Sequence, residues 1–271
     1  MAAIDLNRLN KDIDRLKENY SQPKEFRHAL HDILSFYHRY AHRPTKDALP
    51  KSFMRVYDLA PQVTRQIELG LRLTAKEQPE ATLALVDELW QHDYFEPLDL
   101  AAYLLGQLPA SHAAQVKDKI LSLLQDPLDR SVVNALCLKG AAALRIDAPK
   151  VWESLLNETL ESNRQQLQIF GLSGLALDAD SQPLEAFPRL YRQVRPHLGK
   201  AASASSNLLQ EIIASLARRN AQETAFFLKQ VLADTDGAAI ERQTRQFLPF
   251  FNEEIQAGLA TSIRNHANRK Q

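Results

Sequence analysis

One cysteine in 271 residues leaves no route to an intrachain disulfide and no pair of thiolates for zinc. That residue, Cys137, sits between Leu136 and Leu138 and reads as an apolar position. Glycine is scarce at eight residues, and none falls in a GxxxxGK[ST] or GxGxxG pattern, so no phosphate-cradling loop and no nucleotide cofactor are expected. Long apolar runs are missing, which excludes a membrane span. The opening MAAIDLNRLNKDID carries charges where a signal peptide needs an apolar centre, so a cytoplasmic protein is expected. An excess of one charge is also lacking: 33 Lys and Arg balance 33 Asp and Glu, and no overall field draws the chain to a polyanion.

Helical periodicity fills the space these absences leave. From Pro79 to Pro109 the apolar residues Leu85 and Leu89, then Leu100, Tyr103 and Leu104, follow spacings of three and four on either side of a polar break at Gln91 to Asp93. This describes two amphipathic helices folded into a hairpin, with Pro79 opening the first and Pro97 early in the second. Leu6, Leu9, Ile13 and Leu16 predict a narrow apolar stripe on a first helix; Phe26, Leu30, Ile33, Tyr37 and Ala41 predict a second. Residues 43 to 59, with Pro44 and Pro50, read as a long connection. Start signals recur at Ser111, at Ser162 with Gln165 and at Asn220 with Glu223. About fourteen helices are expected, arriving every ~15 to 20 residues and pairing into hairpins. The fold expected is all-α: a single domain over 1–271, a curved α-solenoid of HEAT-like hairpins, with cap helices and connection over 1–60 and stacked hairpins over 61–268. Its concave surface is where binding is expected.

Four groups of residues invite a chemical reading. His28, His31, Ser35, His38 and His42 share the polar face of the second helix. No carboxylate accompanies the His38/His42 pair, so no metal site is expected and the face is predicted to look onto water. Ser173, in Gly171-Leu172-Ser173-Gly174, lacks the spacing and the strand of a nucleophile elbow, and the two glycines are expected to serve close helix packing. Trp90 and Trp152 stand at apolar helical positions and are expected in the core. Charge, finally, is uneven: Lys and Arg outnumber Asp and Glu by 12 to 7 over residues 186 to 271, but are outnumbered 17 to 8 over 76 to 185. Arg192, Arg195, Lys200, Arg218, Arg219, Arg242, Arg245 and Arg264 recur on successive C-terminal helices, and such a row suits a phosphate backbone.

Two segments carry a family resemblance. ALVDELWQHDYFEPLDLAAYLLGQL (Ala84 to Leu108) and LLQEIIASLARRNAQETAFFLKQVL (Leu208 to Leu232) resemble helix pairs of the AlkD-like DNA alkylation-repair proteins. The resemblance implies a HEAT-like fold, DNA as the partner and, in active members, excision of alkylated bases. Those members resemble one another in a Trp-Asp pairing and a Trp-x-Arg-Arg type segment. At the corresponding places this chain has DPLDRSVVNALCLKG and ESNRQQLQIFG, with Arg164 as the one remnant, so no catalytic residue is assigned. The function expected is DNA binding with base excision degenerate or absent, by a monomer without cofactors. Two alternatives stay open: a scaffold holding a protein partner's peptide or helix in its groove, and an active alkylpurine glycosylase with substituted residues.

Overall fold

A computed structural model of the chain describes residues 5–41, 54–200, 203–235 and 237–268. The described residues are mostly helical and contain no strand, only an isolated bridge between Arg55 and Tyr94. No described helix is long and apolar enough to cross a membrane. His42 and most of the expected 43–59 connection lie outside the described residues, as does Asp236.

The first compact unit runs from Met1 to Leu155. It holds α1 (Leu6–Glu18), α2 (Pro23–Ala41), α3 (Pro61–Glu77), α4 (Pro79–Leu89), α5 (Phe95–Leu105), α6 (Ala113–Leu123), α7 (Arg130–Ala135) and α8 (Ala142–Asp147). The second, Leu156–Gln271, holds α10 (Gln165–Ser181), α11 (Phe187–Val194), α12 (Ser203–Arg219), α13 (Ala221–Asp234), α14 (Ala238–Phe247) and α15 (Glu253–Asn268); the division falls within α9 (Pro149–Glu161). A π-turn, Leu136–Gly140, joins α7 to α8 as one interrupted helix, so the expected number of about fourteen is met.

Local chemistry sets many of the helix starts. Asp5 accepts from the N–H groups of Asn7 and Arg8, and Pro61 and Pro79 occupy first-turn positions where a missing N–H costs nothing. Asn220 accepts from Glu223 N at 3.1 Å, the N-cap the sequence predicts, but the reciprocal bond of a capping box is replaced: Glu223 Oε2 accepts from Asn220 Nδ2 at 2.9 Å, while the Asn220 backbone N–H donates to Leu216 O. The other two signals read differently. Ser162 Oγ takes the N–H of Arg164, so α10 starts at Gln165 rather than around Ser162. Ser111 lies inside a 3₁₀ turn, its Oγ 3.0 Å from His112 Nδ1, and caps nothing.

Within each unit a helix packs on its neighbour and on the next but one. In the first, α1 meets α3, α3 meets α5, and α2 meets α4; in the second, α10 meets α12, α12 meets α14, and α13 meets α15. The buried faces are largely those the periodicity marked: Leu9, Ile13 and Leu16; Leu85 and Leu89; Leu100 and Leu104; but Leu6, at the start of α1, is exposed and Tyr103 is half-buried. Phe170, Phe187 and Phe247 are fully buried in the second unit, each stabilising by roughly 1.5–3 kcal/mol. Gly171 and Gly106 stand where helices approach closely. A Cβ on Gly171 would meet Thr159 Oγ1 at 2.8 Å, as expected of a packing glycine; one on Gly106, at the end of α5, would run into the backbone carbonyl of Lys139 in the π-turn. Trp152 is buried, but Trp90 is half-buried at the end of α4, which corrects the expectation for one of the two tryptophans.

Candidate functional site

In the second unit, α11 and α13 border a groove of about 260 Å³. Its walls obey one rule twice. Pro188, Tyr191, Arg192 and Arg195 stand at i, i+3, i+4 and i+7, and so do Glu223, Phe226, Phe227 and Gln230, so each set forms one helix face. Tyr191 stacks on Phe227 with ring centroids 4.6 Å apart, and both are buried. Phe226 is 61% exposed and projects as an uncovered ring.

Hydrogen bonds hold the floor in place. Thr224 Oγ1 donates to Asn220 O at 2.7 Å, so the Tyr191 hydroxyl, 3.0 Å away, donates to Thr224. Burial pushes the Tyr191 phenol up to about 12, and it stays a neutral donor through the physiological range. Phe187 meets Tyr191 edge-on, and the Arg219 guanidinium lies 5.2 Å above Phe187. Arg219 also donates to Ala179 O at 2.9 Å, which ties it to the end of α10. It is half-buried and does not line the groove.

The remaining cations occupy separate settings. Arg192 and Arg195 are brought together on the groove; Arg192 is exposed and makes no ion pair with a described residue, whereas Arg195 contacts Asp234 at 2.5 Å. Arg218 faces Asp180 at 4.0 Å with both groups exposed, a weak pair, and the exposed Arg245 lies 4.0 Å from Glu241, a buried carboxylate that meets His266 at 2.8 Å. Arg264 donates to Thr261 on its own helix, and Arg242 is exposed. Lys200 is exposed and adds to burial in lowering the pKa of His197. Arg164, exposed, is the residue before α10. The arginines that share a site are thus Arg192 on α11 and Arg195 at its C-cap.

No protein-family model matches the chain, and no curated protein matches it. The site therefore rests on its own geometry. Two arginines stand at the rim beside one exposed ring, Phe226, while the Tyr191 and Phe227 rings are buried against each other beneath it. Glu223 and Asp234 temper the positive field.

The histidine face of α2 meets its expectation in part, since His28 and His31 are exposed and His38 is half-buried. Tyr57 touches it at two points: His31 Nδ1 lies 2.5 Å from Tyr57 Oη, and His38 Nδ1 contacts the Tyr57 carbonyl. Tyr57 stacks on Tyr94 at 4.3 Å, and Glu96 Oε1 accepts from the N–H groups of Tyr57 and Asp58. These bonds offset the left-handed φ of +49° at Asp58, a conformation unfavourable for a residue with a Cβ. His92, 6.2 Å from His31 between ring centres, has a pKa lowered by burial and then by that neighbour. Among the described residues no group of three or more His, Cys, Asp or Glu is placed to hold a metal. The cluster pins a chain segment onto α2 and α5.

The aromatic wall is what sequence reasoning missed. Its signal was present in the two i, i+3, i+4, i+7 sets, but nothing local says that residues 36 apart, Tyr191 and Phe227, face each other.

Proposed function

We propose that this chain is a DNA-binding protein built from HEAT-like helical hairpins, similar in plan to the alkylation-repair proteins, and that the α11/α13 groove holds a nucleotide of the bound strand. The next-but-one packing of helices within each unit supports the hairpin-stack reading. The observation that carries the function is the exposed Phe226 ring beside Arg192 and Arg195: the ring supplies a stacking surface, and the guanidiniums supply donors for phosphate oxygens. Such a site favours DNA whose bases are reachable, in a single strand, a branch or an abasic gap. Base excision is not part of the proposal, because no carboxylate is assigned to stabilise a departing sugar. Its one thiol, Cys137, is buried, and we place the protein in the reducing cytoplasm.

The second reading is a protein segment in the same groove, favoured by Glu223 on its rim. Binding to labelled single-stranded, branched and duplex DNA, titrated over salt, separates the two. Affinity for the first two that falls with salt, and falls again with Arg192→Ala and Arg195→Ala, supports the DNA reading. Absence of DNA binding at low salt, or binding indifferent to both substitutions, overturns it.

A further inference from the structure

Helix α3 buries Val63, Ile67, Leu71 and Ala75, which fall within an arc of about 120° at 100° per residue. Its opposite side is divided lengthwise into two lanes. Arg72, Arg65 and Lys76 lie at about 180–220° from Val63, and Leu69 and Leu73 at about 240–280°. The leucines are 48% and 64% exposed, and they form the one i, i+4 pair on a single helix among the exposed large apolar residues of the described chain. All three cations are exposed, and none forms an ion pair with another described residue. Of the two acids on α3, Glu77 is exposed at about 320°, across the leucines from the cations, and Glu68 is turned toward α5 and the π-turn, where its Oε1 accepts from Lys139 Nζ at 2.7 Å; that Nζ also donates to Asp99 at 2.6 Å. The acid on the cations' own side is thus engaged elsewhere.

We propose that this face of α3 is a docking surface for an acidic amphipathic helix of a protein partner. The i, i+4 leucines form a ridge of the kind that packs into the groove of a second helix, and the unpaired cations beside it select Glu or Asp on that helix's flank. From Arg65 to Lys76 the stripe spans about three turns, enough for an i, i+4, i+7 set of partner anchors. A DNA duplex would engage the cations and leave both leucines in water. The surface lies in the first unit, so it stands or falls independently of the groove on α11 and α13.

The test uses the full chain and two fluorescein-labelled designed helical peptides, each with leucines at i, i+4, i+7 and i+11. One is flanked by glutamates and the other by lysines. The glutamate peptide is expected to bind saturably in the micromolar range and the lysine peptide not to bind. Affinity should fall about tenfold in Leu69→Ser/Leu73→Ser, and by a similar factor in Arg65→Glu/Arg72→Glu. All four changes are at exposed positions, and circular dichroism checks that the fold is kept. Equal binding of both peptides, no binding of either, or indifference to the substitutions overturns the proposal. So does stripe-dependent binding to vesicles containing phosphatidylserine in place of the peptide, which would assign the face to a membrane surface.

Discussion

Replacing Gly106 by alanine sets two effects of opposite sign against each other. Gly106 has φ −73° and ψ −3°, a conformation alanine adopts freely, so reduced backbone entropy of the unfolded chain alone predicts a gain of about 0.4–1 kcal/mol. Packing predicts a loss. The new Cβ would run into the Lys139 carbonyl oxygen, lie 2.9 Å from the carbonyl carbon and stand 3.4 Å from Gly140 O. Carbon atoms at rest sit about 3.5–4.0 Å apart, so α5 and the π-turn must part by more than about half an ångström. These are backbone atoms, and no rotamer change relieves the clash. The displacement also pulls on Lys139, whose Nζ holds Glu68 and Asp99. Overpacking of this kind costs about 1–3 kcal/mol, and we expect the upper end. In a domain of this size, about 3 kcal/mol lowers Tm by about 6–12 °C. Calorimetry and urea unfolding of the full chain measure it. Gly140→Ala is the control: its Cβ would meet a Leu136 methyl at 2.9 Å, which a side-chain movement relieves, so its cost stays below about 1 kcal/mol. A Gly106→Ala protein as stable as the wild type, or more so, refutes the close approach.

Further outcomes follow from the groove and the caps. If DNA binds as proposed, Phe226→Ala costs about 1–3 kcal/mol of affinity with the salt slope unchanged, whereas Arg192→Ala lowers the slope by about 0.7 on a single strand; anisotropy titrations over salt show both. Arg219→Ala, which strips a donor from Ala179 O and a cation from Phe187, destabilises by about 1–2 kcal/mol, while Arg218→Ala stays within about 0.5 kcal/mol in the same denaturation assay. Asn220→Ala removes the cap of α13 and costs about 1 kcal/mol in urea unfolding. His92 and His197 both have folded-state pKa values below the ordinary 6.5, in each case through burial first. The unfolded chain therefore takes up more protons, and their contribution, complete above about pH 6.5, is lost as pH falls through the folded values. Urea midpoints measured from about pH 7.5 down to about pH 5 should decline, and His197→Gln should flatten part of the slope.

What the sequence disclosed was what neighbouring residues decide. The starts at Pro61, Pro79 and Asn220 depend on atoms within one helical turn, and all three are where the pattern predicts them. Ser162 illustrates the limit of that method: a hydroxyl that accepts from residue i+2 looks the same in sequence as one that accepts from i+3, and the helix begins two residues later than the motif suggests. Charge was visible as composition, but partners were not. Arg195 meets Asp234, and Arg219 settles on Phe187, across separations that only packing closes. The same holds for the α2 histidines: His28 and His31 are exposed as the pattern suggests, but the contacts of Tyr57 with His31 and His38 are not readable from the helix alone. The exposed leucines of α3 were hidden for the opposite reason, because Leu69 and Leu73 look like core residues until the burial of Ile67 and Leu71 shows which side of the helix is inside.

The π-turn between α7 and α8 has a bearing on chain length. Its closing bond, from Ala141 N to Leu136 O at 3.0 Å, spans five residues where an α-helix spans four, so the chain carries one residue more than a regular helix needs there. Removing one residue from this turn would let α7 and α8 join smoothly, and would swing one relative to the other by about 100°. Lys139 would then point away from Glu68 and Asp99, and two acids on α3 and α5 would lose their shared counter-ion. The surplus residue acts as a shim that sets rotational phase. A homologue shortened by one at this point would have to bring a cation to those carboxylates from elsewhere, or dispense with the acids.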